Sequence, residues 1–171
     1  LYPFVNTRIS PMASTDGPHS IVMVTGGAGF IGSALVRGLV AEGAHPVVFD
    51  DLSVGCPENL AEVADALELV TGDIRSPTFA EAVAAHEIDC VYHLAAMPFI
   101  PDCYKRPRDC FEINAGGALN VLLACKQVGV QRVVLYSSAS VYGPAQRLPM
   151  DETHPLAPTS TYAVSKLAAD R

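Results

Sequence analysis

Three glycines at short spacing are the first residues of this 171-residue chain whose pattern indicates a chemical role. They lie between an apolar run over 21–24 and a run of helical periodicity, and they are Gly26, Gly29 and Gly32. Glycine in a strand–turn–helix segment allows a tight turn, a close approach of the backbone to a pyrophosphate, and close packing of helix on strand. The N-terminus of a helix stabilises an anion through unpaired N–H groups and the helix dipole. The pattern therefore predicts a loop that binds the diphosphate of a dinucleotide.

An acidic residue after the second apolar run supports the same interpretation. Asp50 ends this run, about 20 residues after the last glycine, where a carboxylate binds both hydroxyls of an adenosine ribose. A carboxylate there repels a 2′-phosphate, and no Arg or Lys occurs between Arg37 and Arg75. The sequence therefore favours NAD over NADP as the cofactor. A glycine-rich turn followed by an ordinary solvated aspartate is the alternative interpretation.

Short β-branched runs alternate with segments of helical periodicity from Ser20 onwards. Strands that alternate with helices predict an α/β fold with a doubly wound parallel sheet of the Rossmann type, covered on both faces. The strand runs are almost continuously apolar, which is typical of strands buried on both sides. The predicted strands cover 21–24, 46–50, 67–71, 89–94 and 132–137, and the predicted helices cover 30–42, 58–66, 76–86, 108–128 and 162–171.

The two ends of the chain have different patterns from its centre. Residues 1–19 are polar, rich in proline and aperiodic, and the chain begins with Leu1 although Met12 could serve as an internal start. We expect a disordered leader over 1–19 and an NAD-binding domain over 20–171. Because no Gly or Asn stop signal follows the last predicted helix, we expect the chain to end inside that helix, as a fragment.

Charge and hydropathy exclude two classes of partner. The chain carries 11 Lys and Arg against 18 Asp and Glu, a formal charge of -7, which gives no electrostatic basis for nucleic-acid binding. The longest uncharged run, 21–36, is interrupted by the glycine cluster and is not expected to span a membrane. Residues 1–18 lack the basic and apolar regions of a secretory signal, so we expect a cytoplasmic protein.

The cysteines suggest neither a disulfide framework nor a metal site. Their number is odd and none has the Cys-x-x-Cys spacing, so we expect reduced thiols and no metal ligands. The five residues are Cys56, Cys90, Cys103, Cys110 and Cys125.

Seven short motifs occur in order along the chain. They cover 24–32, 49–53, 72–74, 93–96, 113–114, 137–143 (Ser-Ser-Ala-Ser-Val-Tyr-Gly) and 162–166 (Tyr-Ala-Val-Ser-Lys). Together they resemble the extended short-chain dehydrogenase/reductase family, and within it the nucleotide-sugar epimerases and dehydratases. The resemblance implies NAD as the cofactor, a nucleotide sugar as the substrate, and a homodimer for the full-length protein.

The resemblance implies that Ser138, Tyr162 and Lys166 are catalytic. Tyr162 and Lys166 have the i, i+4 spacing that puts both side chains on one helix face. The ammonium can then stabilise a tyrosinate and lower the pKa of the phenol from its usual value of about 10. The tyrosine would remove a proton from a substrate hydroxyl while hydride leaves for the nicotinamide, and the Ser138 hydroxyl would orient the substrate oxygen. A Tyr-x-x-x-Lys pair on the surface without a function is the alternative.

The resemblance also implies a set of cofactor contacts. Asp73 and Ile74 would border the adenine, and the turn after the fourth strand would line the diphosphate and the nicotinamide ribose. Asn114 lies where family members have an asparagine near the cofactor, although a capping or solvated asparagine fits the sequence equally well. We interpret His93 as a core histidine rather than a catalyst. The predicted cofactor-binding residues are Gly26, Gly29, Phe30, Ile31, Gly32, Asp50, Asp51, Asp73, Ile74, Leu94, Ala95, Ala96, Asn114, Tyr162 and Lys166.

One departure from the family pattern bears on the choice between epimerisation and dehydration. Ala139 and Ser140 stand where family dehydratases have the acid that protonates the leaving hydroxyl. The resemblance therefore favours a UDP-hexose 4-epimerase type of reaction through a transient 4-keto intermediate. A 4,6-dehydratase or decarboxylase, which the segment 149–155 resembles, remains open, as does an inactive truncated NAD-binding module. We interpret Asp151 and Glu152 as part of a turn.

Full members of the family continue well beyond the Tyr-x-x-x-Lys helix and add a small domain that binds the nucleotide sugar. The chain ends at Arg171, so we expect it to hold the cofactor half and the catalytic residues without the substrate pocket. At this length it is expected to expose the apolar face of its last helix and an open sheet edge.

The glycine loop and Asp50 generate a prediction on cofactor choice. We expect tighter binding of NAD(H) than of NADP(H), and we expect Asp50→Ala to weaken that preference, because the carboxylate both holds the ribose and repels the phosphate. Titration calorimetry with both cofactors measures the two affinities. Equal or tighter binding of NADP(H) by the unmodified chain would contradict the assignment.

Overall fold

Five runs of mainly apolar residues form the strands of one parallel sheet within residues 21–171, the part of the chain that the computed structural model describes. The predicted leader over 1–19 lies outside these residues. The strands pair in the order β3-β2-β1-β4-β5, so the doubly wound parallel sheet predicted from the sequence is confirmed. They are β1 (Val22–Thr25), β2 (Val47–Asp50), β3 (Glu68–Thr71), β4 (Cys90–His93) and β5 (Arg132–Leu135).

Burial differs between the centre and the edges of the sheet. Every residue of β1 and β2 is buried, as the continuous apolar runs predicted. The edge strands β3 and β5 keep exposed positions, among them Glu68 and Arg132. Within the described residues β5 pairs with β4 alone, so the expectation of an open sheet edge holds for this part of the chain.

Helices cover both faces of the sheet. They are α1 (Phe30–Ala41), α2 (Thr78–Ala85), α3 (Ile100–Lys105), α4 (Pro107–Phe111), α5 (Gly117–Val128) and α6 (Thr161–Ala169). The predicted helix over 108–128 corresponds to α4, a π-helical turn over Glu112–Gly116, and α5. We did not predict α3 from the sequence, because Pro101 interrupts the helical pattern there. Proline is nevertheless tolerated in the first turn of a helix, which is where Pro101 lies.

One predicted helix has a different geometry. The segment expected as a helix over 58–66 forms a 3₁₀ helix, Pro57–Ala66. A period of three residues places Leu60 and Val63 on one face, and both side chains belong to the apolar cluster that also contains residues of α1.

Alternation along the strands divides the core into two clusters. Met23 and Phe49 pack with α2 and α5 on one face of the sheet, whereas Val24 and Val48 pack with α1 on the other. The rings of Phe49 and Phe79 meet edge to face at a centroid distance of 5.2 Å. The sheet is therefore fixed from both sides.

The topology of the sheet defines where a ligand can bind. In the sheet, β1 lies between β2 and β4. The chain passes from β1 to β2 on one side and reaches β4, on the other side, only after β3. The connections that leave β1 and β4 therefore separate at the carboxyl edge of the sheet and open a crevice there. None of the helices within residues 21–171 is long and apolar enough to cross a membrane.

The edge-to-face pair generates a prediction on stability. Phe79 is fully buried, so Phe79→Ala is expected to lower the free energy of unfolding by about 3–5 kcal/mol through lost burial and the cavity left behind. Phe99, at 62% exposure, is the matched control, and Phe99→Ala is expected to change that free energy by about 0.5 kcal/mol or less. Urea unfolding measures both. Equal losses in the two variants would contradict the assignment of Phe79 to the core.

Candidate active site

A cavity of about 650 Å³ opens at the carboxyl edge of the sheet, between the ends of β1, β2 and β4 and helix α6. It brings together all the predicted cofactor-binding residues except Asn114. Those that line it are Gly26, Gly29, Phe30, Ile31, Gly32, Asp50, Asp51, Asp73, Ile74, Leu94, Ala95, Ala96, Tyr162 and Lys166. Residues from distant parts of the sequence therefore line one cavity. Their individual roles stay predictions.

The glycine loop is crowded by backbone atoms. A Cβ atom on Gly32 would lie 2.1 Å from the carbonyl oxygen of Gly26, and one on Gly26 would lie 2.7 Å from the Ala95 nitrogen. Gly26 also has a φ of 70°, which favours glycine. Only a loop without side chains at these points lets α1 begin directly behind β1. Phe30 and Ile31 then line the cavity with the first turn of α1, whose N–H groups lack intrahelical acceptors.

Asp50 is held rigidly at the end of β2. Its carboxylate is 6% exposed and accepts hydrogen bonds from the backbone N–H groups of Ala28 and Leu52, each at 2.9 Å. Each oxygen accepts one of these bonds and retains further capacity to accept. The arrangement suits a ribose with two hydroxyls. Asp51 differs, because its carboxylate accepts from the N–H and hydroxyl of Ser53 and is exposed.

Lys166 is a buried cation on α6. The helix begins after Ser160, whose hydroxyl caps it by accepting a hydrogen bond from the Ala163 N–H at 3.1 Å. Lys166 is 5% exposed, and its Nζ donates to the carbonyl oxygen of Tyr136 at 2.5 Å. Burial lowers the pKa of Lys166, while the negative charge of Asp170 opposes that change. The ammonium is thus fixed one helical turn from Tyr162.

Tyr162 is held by a small apolar cluster. Its ring packs against Met97, Cys103 and Cys110, of which both cysteines are fully buried. All five cysteines of the chain are free thiols in the structure. The residues described here contain no group of three or more metal-ligating side chains. The cluster fixes the tyrosine at the wall of the cavity.

His93 is a buried, hydrogen-bonded histidine, as the sequence indicated. Its Nδ1 and the hydroxyl of Thr25 are 2.7 Å apart in a hydrogen bond. Burial and then the nearby charge of Lys166 lower the pKa of His93 to about 4. The imidazole is therefore neutral near pH 7 and links the ends of β1 and β4.

The two serines after β5 have different partners. Ser138 accepts a hydrogen bond from the Ser140 N–H at 3.2 Å and caps the 3₁₀ turn Ala139–Tyr142. Ser137, which the sequence did not single out, lines the cavity and donates to the Asp170 carboxylate at 2.5 Å. Ser138 is not among the lining residues. Its catalytic role stays a prediction, and its hydroxyl proton is not used in the cap.

Asn114 is a buried clamp within the protein. Its Oδ1 accepts from the Met97 N–H at 2.7 Å, and its Nδ2 donates to the Met97 carbonyl oxygen at 3.2 Å and to the Ser165 hydroxyl at 2.9 Å. The side chain is 1% exposed and does not line the cavity. Contact with the cofactor stays a prediction for this residue. The observed bonds tie the π-helical turn to the loop after β4 and to α6.

Sequence reasoning missed several residues of the cavity wall. Arg75 lies there although the cofactor argument considered only the residues before it, and its guanidinium is bound to the carboxylate of Asp73. Asp102 and Arg106 reach the wall from α3 and the residue that follows it. The motif at 72–74 could have drawn attention to Arg75, since it is the next residue. Nothing local identifies the other two, because only the packing of α3 brings them to the cavity.

The sheet order, the glycine loop and the acid after β2 define a Rossmann-type dinucleotide-binding domain. The model of the NAD dependent epimerase/dehydratase family matches residues 22–171, and the chain belongs to that family. Its members are enzymes that use NAD as the cofactor. The described residues therefore form a Rossmann-type NAD-binding domain of this family.

The relatives and solved structures that the chain resembles include enzymes named for reactions of nucleotide sugars. A UDP-glucose 4-epimerase of Lacticaseibacillus casei is 38% identical over 151 residues, which cover 88% of this chain and 45% of that protein. A UDP-glucose 4-epimerase of Brucella ovis, solved with NAD, has a TM-score of 0.83 at 33% identity, over 89% of this chain and 46% of its own. The dTDP-glucose 4,6-dehydratase DesIV of Streptomyces venezuelae, solved with NAD, has a TM-score of 0.83 at 35% identity, over 88% of this chain and 49% of its own. The chain spans less than half the length of each of these relatives.

The bonds of Asn114 generate a prediction. Asn114→Ala leaves the peptide group of Met97 and the hydroxyl of Ser165 without this partner, and it is expected to lower the free energy of unfolding by about 2–4 kcal/mol. Gln127, an exposed amide on α5, is the matched control, and Gln127→Ala is expected to cost about 0.5 kcal/mol or less. Chemical denaturation of both variants measures the difference. A loss no larger than that of the control would refute the clamp.

Proposed function

We propose that the full-length protein is an NAD-dependent nucleotide-sugar epimerase of the UDP-hexose 4-epimerase type. The observation that carries the proposal is the position of Tyr162 and Lys166 on the wall of the cavity that the glycine loop also lines. To oxidise a sugar alcohol, a proton acceptor must reach the hydroxyl oxygen while a hydride acceptor reaches the carbon that carries it. The epimerases among the similar proteins support the same reaction class.

The residues of the cavity fit a dinucleotide. The close backbone approach at Gly26 and Gly32 leaves no side chain between the loop and a diphosphate, and Asp50 retains capacity to accept from ribose hydroxyls. Asp50 and Asp51 give this end of the cavity negative charge, which disfavours a 2′-phosphate. When bound, NAD supplies the nicotinamide that accepts a hydride and returns it.

Proton transfer falls to Tyr162. As the tyrosinate, it takes the proton of the sugar C4 hydroxyl in the oxidation, and as the phenol it returns that proton in the reduction. The ammonium of Lys166 stabilises the tyrosinate by its positive charge, and its bond to the Tyr136 carbonyl fixes its position. The Ser138 hydroxyl, which accepts the Ser140 N–H, keeps its proton to donate to the substrate oxygen. Reduction of the 4-keto sugar from the opposite face inverts C4.

A dehydratase of the same family is the second candidate, because DesIV is among the similar structures. Elimination needs a protonated acid beside the leaving hydroxyl, and Ala139 and Ser140 follow Ser138 directly. Asp151 accepts hydrogen bonds from the N–H and hydroxyl of Thr153, which lower the pKa of its carboxyl. An ionised aspartate in a turn is a poor proton donor, so these residues favour epimerisation.

The assembly and location of the full-length protein are part of the proposal. Leu119, Leu122 and Leu123 form an exposed apolar stripe at helical spacing on α5, and Val164 on α6 is exposed as well. A second copy of the chain packed against these helices would cover the stripe and form a homodimer. The charge of -7 and the five free thiols support a cytoplasmic location.

The proposal predicts how the loss of the Tyr162 hydroxyl changes kcat. In the full-length protein, Tyr162→Phe is expected to reduce kcat by about 10²- to 10⁴-fold, because proton transfer is lost, with little change in NAD affinity. Tyr92→Phe, a hydroxyl removed on β4 away from the cavity wall, is the matched control and is expected to retain activity. Conversion of UDP-glucose followed by NMR measures both variants and identifies the product.

Two outcomes of that assay contradict the proposal. A 4-keto-6-deoxy sugar as the product would replace the epimerase with a dehydratase. Full activity of Tyr162→Phe would remove the tyrosine from the chemistry. We also expect the 171-residue chain by itself to bind NAD, because the residues of the proposed cofactor site line one cavity within it.

A further inference from the structure

The segment 143–160 joins the two elements that carry the serine and the tyrosine of the proposed reaction. It leaves the 3₁₀ turn Ala139–Tyr142, which the Ser138 side chain caps, and it ends at α6, which carries Tyr162. Neither a helix nor a strand forms within these residues, all of which the structure describes. The relative position of the two hydroxyls therefore depends in part on what holds this segment in place.

The two ends of the segment lie against each other. Gly143 has a φ of 67°, and a Cβ atom there would lie 2.1 Å from the carbonyl oxygen of Ala157. The Ala157 N–H donates to the carbonyl oxygen of Val141 at 3.1 Å, and Val141 is buried in the 3₁₀ turn. Residues 143–157, which we call the linking loop, therefore close on the turn that follows Ser138.

A buried histidine lies inside the linking loop. Of residues 143–157, each of them described in the structure, only His154 is buried, with 3% exposure. Its ring meets the ring of Tyr142 at a centroid distance of 5.6 Å and an interplanar angle of 75°. Its Nε2 accepts from the Gln146 N–H at 3.0 Å, and its Nδ1 lies 3.1 Å from the carbonyl oxygen of Pro155. The imidazole therefore connects both sides of the loop to the 3₁₀ turn.

The two partners of the ring determine its tautomer. A backbone N–H only donates, so Nε2 of His154 carries no proton, and Nδ1 carries the proton that is donated to the Pro155 carbonyl. A proton on Nε2 would face the Gln146 N–H and remove that bond. The hydrogen bonds therefore assign the neutral Nδ1–H tautomer to His154.

The outer part of the linking loop is held by exposed polar contacts. The carboxylate of Asp151 accepts from Arg147 Nη2 at 2.6 Å and from the Thr153 N–H at 2.9 Å. The Arg147 and Asp151 side chains are about half exposed, and an ion pair of this kind contributes little because water screens it. The contacts of the buried histidine are therefore the ones that decide how firmly the loop is held.

We propose that His154 is a positioning residue: its two hydrogen bonds hold the linking loop on the 3₁₀ turn and so fix Ser138 relative to Tyr162. The inference rests on the proposed epimerase function. Without these bonds the loop lifts from the turn, and the serine shifts against the tyrosine. A misplacement of about 1 Å can cost about 10²-fold in rate, because proton transfer requires aligned groups. The glycine loop lies on other elements, so NAD binding is not affected.

The tautomer can be measured in the 171-residue chain. Long-range ¹H–¹⁵N correlation spectra of histidine-labelled protein distinguish the two ring nitrogens at about pH 8, where an ordinary histidine is neutral. The signals of His154 are identified by their absence in His154→Gln. We expect a protonated Nδ1 and an unprotonated Nε2. The opposite tautomer would overturn the proposal, because Nε2 could not then accept from the Gln146 N–H.

Two variants of the full-length protein separate the hydrogen bonds from the packing. His154→Gln keeps an acceptor and a donor without the ring, and its kcat is expected to stay within about threefold of that of the unmodified protein. His154→Phe keeps a ring against Tyr142 without either bond, and its kcat is expected to fall about tenfold or more, with NAD affinity unchanged. His45→Phe, at an exposed position before β2, is the matched control and is expected to keep its kcat.

Conversion of UDP-glucose followed by NMR gives kcat, which is expressed per bound NAD so that unfolded protein is not counted. A histidine that only fills space would give the opposite order, with kcat kept in His154→Phe and lost in His154→Gln, and that result would overturn the proposal. An equal kcat in all variants would overturn it as well. No conversion by the unmodified protein would instead overturn the proposed function, and this inference with it.

Discussion

The close approach of backbone to backbone behind β1 is the constraint on which the rest of the structure depends. Gly32 lies so near the Gly26 carbonyl that a methyl group at that position could not be accommodated. This contact sets the start of α1 directly at the end of a fully buried strand. Because α1 covers one face of the sheet, the same contact that shapes the loop also aligns the core beneath it. The conformation of the glycine loop and the packing of the core therefore depend on the same contact.

The second half of the site is assembled by long-range bonds. Asn114 joins the π-helical turn to the loop after β4 and to Ser165 on α6, and Lys166 bonds to the carbonyl of Tyr136 after β5. These links hold the tyrosine and lysine of α6 against a sheet whose strands end at the glycine loop. A π-helical turn at this place agrees with the tendency of such turns to occur near functional sites.

Electrostatics divides the cavity into two regions. At the end of β2 and β3, carboxylates predominate, and the guanidinium of Arg75 is bound by Asp73. At the opposite end, a buried ammonium stands beside a neutral histidine, with Asp170 nearby. A dinucleotide with a neutral ribose at one end and a reacting nicotinamide at the other matches this division. The charge pattern thus supports the same ligand as the shape of the loop does.

The sequence determined the local parts of this protein. The spacing of the glycines, the place of Asp50 and the helical interval between Tyr162 and Lys166 depend on few neighbouring residues, and the alternation of strands and helices predicted the sheet. The surroundings of these groups were decided by the tertiary structure alone. It buries Lys166, hydrogen-bonds Asn114 to Ser165 on another helix, and pairs Asp73 with the guanidinium of Arg75 on the cavity wall. The 3₁₀ geometry of Pro57–Ala66 and the existence of α3 were likewise not predicted from the sequence. Local spacing fixes which way side chains point along one element, whereas contacts between elements depend on how the whole chain packs.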